Sequence, residues 1–385
     1  MRIRAFLSAS LLPLVVASPA LATAYPPTHT TIPAGQVIGP ATADTTVGQS
    51  PFGGSHITAH NGSAYEWWYF DVVSRDSSAA VVIQFYPAWF ADSNAILLNI
   101  AGAPENDKTG DRDENNTNTN TLLIRERIPA GALELSTLGD GSQGYVADGA
   151  MTWVGAPDLS VYHVTLDVNV EGIRVTGTIS MRSRAPAHVA CGLNERGNTF
   201  DAARFFLWAN AIPDAEAVVH LTVNGEQFAF VGSGYHDQNW GLGAFVQDLT
   251  QWYWGHFTAG RYSVVYGYYW DASWVIHSSI YLAENGTPIV YGCSDGLVEV
   301  TARGPGVSVP VVNLEEVEGW DIQIDDPEEG KFAFYIENTL TAVRGDPTVT
   351  RFVGKVTGGR VGEVNSTGPA LVELMGNLWH GSGER

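Results

Sequence analysis

Three observations predict an all-β protein built from antiparallel strands. Residues 65–73 alternate, placing Glu66, Trp68 and Phe70 on one face and Trp67, Tyr69 and Asp71 on the other. Strand-like segments flank Glu171-Gly172 and Asn224-Gly225, and Asn-Gly is the stronger hairpin signal. Helical periodicity is nearly absent: its best stretch, near residues 201–210, carries aromatics that suit a strand equally well.

At the N-terminus, Arg2 and Arg4 precede an apolar stretch over residues 5–18 and a run of small residues around Ala20 to Ala24. That order is the pattern of a secretory signal peptide, so residues 1–24 are expected to be removed near Ala22 or Ala24; Pro13 and Pro19 speak against a first buried strand. Residues 25–50, rich in Thr, Pro and Ala without a period, read as an extended, weakly ordered lead-in, with the folded part starting near Pro51. A turn at 74–78 returns the first strand into 80–86. Further strands are expected at 161–170, 173–183, 218–223, 227–232, 251–257, 262–270, 274–283 and 289–291, the last pair joined through Asn285-Gly286. The polar, acidic, Asn-rich stretch 105–121 reads as a long surface loop. A β-rich chain of 385 residues exceeds one ordinary barrel, so two β-barrel or sandwich domains are expected, 51–242 and 243–385, meeting near 234–245.

Composition narrows the partners. A formal charge of −21 disfavours nucleic acid and anionic membrane surfaces, and no later run is apolar enough for a membrane helix, so neither a nucleic-acid partner nor a membrane anchor is expected. The 45% hydrophobic content and 12 Trp point inward, to a large core and an aromatic-lined cavity for a small apolar ligand. Cys191 and Cys293 are the two cysteines of a chain expected in an oxidising compartment; pairing is the economical reading, two buried free thiols the alternative. Sequons at Asn61, Asn115, Asn285 and Asn365 are candidate glycosylation sites on surface turns of a secreted or lumenal protein.

Two segments carry most of the chemistry: Tyr65-Glu66-Trp67-Trp68-Tyr69-Phe70-Asp71, and Gly232-Ser233-Gly234-Tyr235-His236-Asp237-Gln238-Asn239-Trp240-Gly241. For the aromatics, ordinary core packing is the competing explanation. Glu66 fits that explanation less well, because a carboxylate facing a barrel interior is either hydrogen-bonded there or functional. His236 and Asp237 point oppositely on an extended strand and form a local pair only if the chain turns, which Gly232, Gly234 and Gly241 favour.

These two motifs, followed by Gln251-Trp252-Tyr253-Trp254-Gly255, resemble a family of lipocalin-like two-domain proteins. It includes bacterial carotenoid hydratases of the hydroxyneurosporene synthase type and fungal Diels-Alderases. The resemblance covers most of the chain after the leader and implies two calycin-like β-domains with a ligand cavity at or near their interface. In the fungal branch some enzymes form decalins by intramolecular cycloaddition. Others join a tropolone-derived quinone methide to a humulene-type terpene by hetero-Diels-Alder reaction, and the leader and sequons resemble this second group. The sequence departs at Gln238, where hydratase-like members have a second His, which weakens the case for hydration chemistry.

A cycloaddition needs no nucleophile, metal or redox centre, and the sequence has no Gly-x-Ser-x-Gly elbow, phosphate loop or His-Glu-x-x-His helix, so no cofactor or metal is expected. Trp67, Trp68, Tyr69, Tyr235, Trp240, Trp252, Trp254 and Trp270 are the candidate walls for a polyketide or terpene substrate. Gln84, His236 and Asn239 are candidate donors to a carbonyl. Glu66 or Asp237 is the candidate acid or base if a quinone methide must first be released by dehydration. The alternatives are a polyene hydratase or isomerase using Asp237 with His236, and a non-catalytic carrier of lipophilic ligands.

Overall fold

The computed structural model describes residues 25–376 apart from 90–92, 103–121, 171, 204–205, 244, 246–248, 306, 308–310, 312–315 and 344–348. The expected signal peptide, the 105–121 loop and Asn115 therefore lie outside the described residues.

The protein is all-β, with strands in one 15-stranded and one 9-stranded antiparallel sheet. Both sheets curl. In the first, Trp153 of strand Met151–Gly155 packs 5.8 Å from Trp68 of strand Ala64–Ser74, although several strands lie between them in the sheet order. In the second, Tyr253 meets Trp320 at 5.1 Å across further intervening strands. Each curl thus closes an aromatic and aliphatic core of its own, the lipocalin-like solution for hiding one apolar face of a sheet. A third buried cluster fills the space between the sheets, where their outer faces meet. Strand Glu226–Leu242 belongs to the first sheet and strand Leu249–Ala259 to the second.

The 65–73 alternation explains both layers at once. Trp68, Phe70 and Val72 enter the first core, while Trp67, Tyr69 and Val73 join the layer between the sheets. Strand Ala64–Ser74 runs beside Glu226–Leu242, with Tyr69 opposite Asp237 and Trp67 opposite Asn239, and beside Ala79–Trp89, with Tyr69 opposite Gln84. Both motifs are thereby stacked on one patch of sheet.

The structure differs from sequence expectation in two places and decides a third that the sequence left open. The chain enters the fold before Pro51: Thr28–Ile32 pairs with Leu133–Leu138, and Val47 is part of the first core. In the stretch near 201–210, which the sequence left open between helix and strand, the described residues form Asp201–Ala203 and the start of the 18-residue strand Phe206–Val223. Finally, the glycine-bracketed motif does not turn; it lies wholly inside strand Glu226–Leu242, so His236 and Asp237 are not a local pair. Its glycines answer crowding rather than a bend. A Cβ at Gly232 would overlap the Val73 carbonyl oxygen, and one at Gly234 would press on Ala217.

Candidate active site between the two sheets

Alternation sorts the residues expected at the site into two groups. Trp67, Tyr69, Gln84, Tyr235, Asp237, Asn239, Trp252 and Trp254 lie on strand faces turned toward the layer between the sheets. Tyr69 packs edge-on against Trp254 at 5.3 Å, Tyr235 lies 5.2 Å from Trp254, and Trp252 stacks on Tyr269 at 4.9 Å. Phe206 closes on Trp252 at 4.9 Å and Phe245 on Trp67 at 5.1 Å.

Glu66, Trp68, His236, Trp240 and Trp270 face elsewhere, each on the opposite side of its strand. Trp68 donates its indole N–H to Gly53 within the first core, and Trp270 packs edge-on against Tyr253 in the second. His236 is sandwiched by Phe70 at 4.0 Å and Tyr162 at 4.4 Å and shares a 2.8 Å bond between Nδ1 and the Tyr69 carbonyl. As that carbonyl only accepts, Nδ1 carries the hydrogen, and burial holds the imidazole down at about 4, neutral. Trp240 stacks on His56 at 3.9 Å and donates to Asp44 O, fastening the lead-in. The Glu66 carboxylate accepts from Ser55 Oγ (2.8 Å), His56 N (2.7 Å) and Gln238 Nε2 (2.9 Å), and meets His60 Nε2 at 2.6 Å. Its acceptor sites are taken, so it serves as an anchor for the segment preceding its strand.

Asp237 is the chemically distinctive group of the layer. The Trp208 indole N–H donates to Oδ2 at 2.7 Å and the Tyr235 hydroxyl approaches the same oxygen at 2.7 Å, while Oδ1 has no hydrogen-bond partner among the described residues. Desolvation pushes the carboxyl from 3.8 up to about 8, with the charges of Asp71 and Glu373 adding to it and the bonds from Tyr235 and Trp208 opposing it. Asp237 therefore holds its proton far above the usual carboxylate range. When both neighbours donate to Oδ2, its hydrogen resides on Oδ1, facing the layer. Tyr235 also meets Asn210 Oδ1 at 2.5 Å and has one hydrogen for two acceptors, so the acid, phenol and amide form a short relay.

Beside this acid lies a buried cation that sequence reasoning did not single out. Arg351, 3% exposed, bonds Asn99 Oδ1 at 2.6 Å and Gln84 Oε1 at 3.2 Å across the layer, and Glu373 at 2.5 Å within its own sheet. Burial works against its charge; Glu373 and the hydroxyls of Tyr69 and Tyr86 more than offset that. Its Nε has no partner among the described residues. A second cross-sheet pair, also missed, joins His256 Nε2 to both oxygens of Asp71 at 2.9 and 3.0 Å, with Tyr235 stacked on the imidazole at 4.7 Å. Arg351 and Glu373 did leave a signal. Glu373 is the one charge in strand Ser366–Gly376, Arg351 is flanked by Thr350 and Phe352 in strand Val349–Arg360, and the two stand opposite in register. Asn239 Nδ2, Trp252 Nε1 and Asn99 Nδ2 are further buried donors without partners among the described residues. Aromatic rings from both sheets, a carboxyl that keeps its proton and N–H groups without a partner among the described residues thus share one buried layer. Among the described residues no group of His, Cys, Asp and Glu is placed to hold a metal ion.

Residues 39–376 match the Diels-Alderase-like family. The chain belongs to that family. Among curated relatives, it is 27% identical over 334 residues to a quinolone epoxide rearrangement protein of Penicillium thymicola, covering 84% of this chain and 87% of that one. It is 25% identical over 338 residues to a Diels-Alderase of Chaetomium globosum, covering 82% and 75%. Among solved structures, CghA superposes with a TM-score of 0.67 at 18% identity over 92% of this chain and 100% of that one. Kievitone hydratase of Nectria haematococca superposes with a TM-score of 0.50 at 16% identity over 82% and 89%. These two share the fold. Membership and relatives together make this an enzyme of the Diels-Alderase-like kind, and the layer between its sheets is where residues from all three sequence motifs converge.

Proposed function

We propose that this enzyme forms a ring by [4+2] cycloaddition of a small apolar or amphipathic polyketide or terpene in fungal secondary metabolism, without metal, nucleotide or flavin, and that the reaction takes place between the two sheets. The reading favoured by the leader-like N-terminus and sequons is the hetero-Diels-Alder union of a tropolone-derived quinone methide with a humulene-type terpene. The observation that carries the proposal is the combination of aromatic walls from both sheets with buried donors that the protein leaves unsatisfied.

The division of labour follows from the geometry. Trp67, Trp252, Trp254 and Tyr69 hold diene and dienophile face to face, and holding two reactants in near-attack geometry contributes up to roughly 7–11 kcal/mol in favourable systems. Asp237 Oδ1 and Asn239 Nδ2 donate to the oxygen of the electron-poor partner, where one positioned donor is worth about 3–4 kcal/mol at the transition state. Arg351, paired with Glu373, orients Gln84 and Asn99 along the layer through its bonds to their side-chain oxygens. The same acid serves a quinone methide precursor by protonating the departing hydroxyl, which leaves as water, and the resulting carboxylate takes up the precursor's phenolic proton, which forms the methide and restores the acid.

A second reading has a specific observation in its favour: an unspent carboxylic acid in a dry layer also suits acid-assisted opening of a strained C–O bond, and a relative is named for epoxide rearrangement. The two are separated by substrate. The expected result is that purified protein accelerates adduct formation from the quinone methide precursor and humulene-type terpene and enriches one stereoisomer over the uncatalysed mixture. Unchanged rate and isomer ratio with folded protein would overturn the cycloaddition, and turnover of an aryl quinolone epoxide in its place would establish the second reading.

A further inference from the structure

We propose that Asn285 carries an N-linked oligosaccharide whose first sugars seat in a crevice bridging the two sheets at one end of their interface, around Asp214. The crevice has a volume of about 630 Å3, within the range of small-molecule sites. One wall comes from the first sheet through Arg184, Asp214 and Ser233; the other comes from the second through Thr258, Ser263, Asn285 and Thr367. At its floor Asp214, 1% exposed, accepts from Ser233 Oγ (2.8 Å), Thr258 Oγ1 (2.9 Å) and Ser263 Oγ (2.6 Å). One carboxylate thereby gathers hydroxyls from both sheets, giving a built, polar seat.

Charge indicates what the seat takes. Three guanidiniums line it, but Arg75 pairs with Glu216 at 3.0 Å, Arg184 lies 3.6 Å from Asp214, and Arg261 pairs with both Glu284 and Glu363. Three cations faced by four carboxylates leave no positive excess, in a chain whose net charge is −21, so a phosphate or other free anion is disfavoured and a neutral polyhydroxyl ligand fits.

Two sequons meet at this crevice. Asn285-Gly286-Thr287 occupies its rim on an exposed turn, with Asn285 at φ 50° and its backbone N–H bonded to Arg261 O. Asn365-Ser366-Thr367 lies on the turn beyond, with Asn365 exposed and Thr367 in the lining. The Gly260-Arg261 turn sits between them, bonded to Thr367 O on one side and to Asn285 N on the other. Asn61 differs: its amide is engaged by Gly39 O at 2.8 Å and by Ser63. A glycan on Asn285 therefore starts at the seat, whereas one on Asn365 starts outside it. The proposal requires passage through the secretory pathway, as the N-terminal leader predicts, and is independent of the proposed reaction.

The test uses full-length protein secreted from a yeast host, with glycopeptide mapping and site-resolved release by an endoglycosidase. Asn285 is expected to be occupied. Its glycan should be released about tenfold more slowly than that of Asn365 while the protein is folded, and equally fast after denaturation, because a seated glycan is cleaved only from a locally opened state. Thr287→Val abolishes the sequon without disturbing the left-handed Asn285 turn; it should lower the melting temperature of the secreted protein by a few degrees and leave that of bacterially made protein unchanged. Asn365→Gln should leave both unchanged. An unoccupied Asn285 in the secreted protein overturns the proposal. So does release as fast as at Asn365 together with an unshifted melting temperature for Thr287→Val.

Discussion

Replacing Asp237 by Asn asks whether the protein keeps an uncharged acid in its interior. The native state raises this carboxyl from 3.8 to about 8. A carboxyl raised on folding binds its proton more tightly in the native than in the unfolded chain. Its contribution to stability is therefore complete below pH 3.8 and is lost as pH rises toward 8. At about 1.4 kcal/mol for each pH unit between those limits, the full loss amounts to roughly 6 kcal/mol, an upper bound because entering water relieves part of the desolvation. Asn retains an oxygen for the Trp208 N–H and cannot ionise. In urea titrations at pH 5, 6, 7 and 8, the stability of Asp237→Asn minus that of the wild type should climb with pH by up to about 1.4 kcal/mol per pH unit and level off near pH 8. Histidines titrating in the same window are common to both proteins and cancel in the difference. Parallel curves would show that Asp237 is ionised in the native state and would remove it as a proton donor. Under the proposed function the same variant should lose about 10²-fold in kcat with little change in KM, and wild-type activity should decline above pH 8.

Arg351→Gln should destabilise by about 3–5 kcal/mol because it strands the buried Glu373, and Arg351→Gln combined with Glu373→Gln should recover part of that loss in chemical denaturation. Trp252→Phe, which keeps a wall against Tyr269 but removes the unspent indole N–H, should change product isomer ratio; Trp270→Phe, within the second core, should lower the melting temperature and leave the ratio alone. Cys191 and Cys293 form a disulfide spanning 102 residues and tie a segment of the first sheet to the second. Cys191→Ser with Cys293→Ser should lower unfolding free energy by about 2–5 kcal/mol, measured against reduced wild type as control.

The all-β class and the sorting of residues 65–73 onto two faces were legible in the chain because strand periodicity is local: residue i and residue i+2 share a face whatever the strand later meets. The pairing of Cys191 with Cys293 was legible for a different reason, being the one pairing two cysteines allow. Which face would become the site was not legible. Trp67 and Trp68 are both buried aromatics in sequence terms, and only the meeting of the second sheet with the first makes one a wall of the shared layer and the other part of a private core. The same holds for Asp237 and His236, whose opposite directions follow from a strand that the surrounding glycines had suggested would bend. Arg351, Glu373 and His256 lie far along the chain from the first motif and its neighbours. The bonds from Arg351 to Gln84 and Asn99, and from His256 to Asp71, span at least 185 residues. A contact of that separation is set by how two curled sheets pack, and the acid strength of Asp237 arises with it, since desolvation exists only once both sheets have closed over the carboxyl.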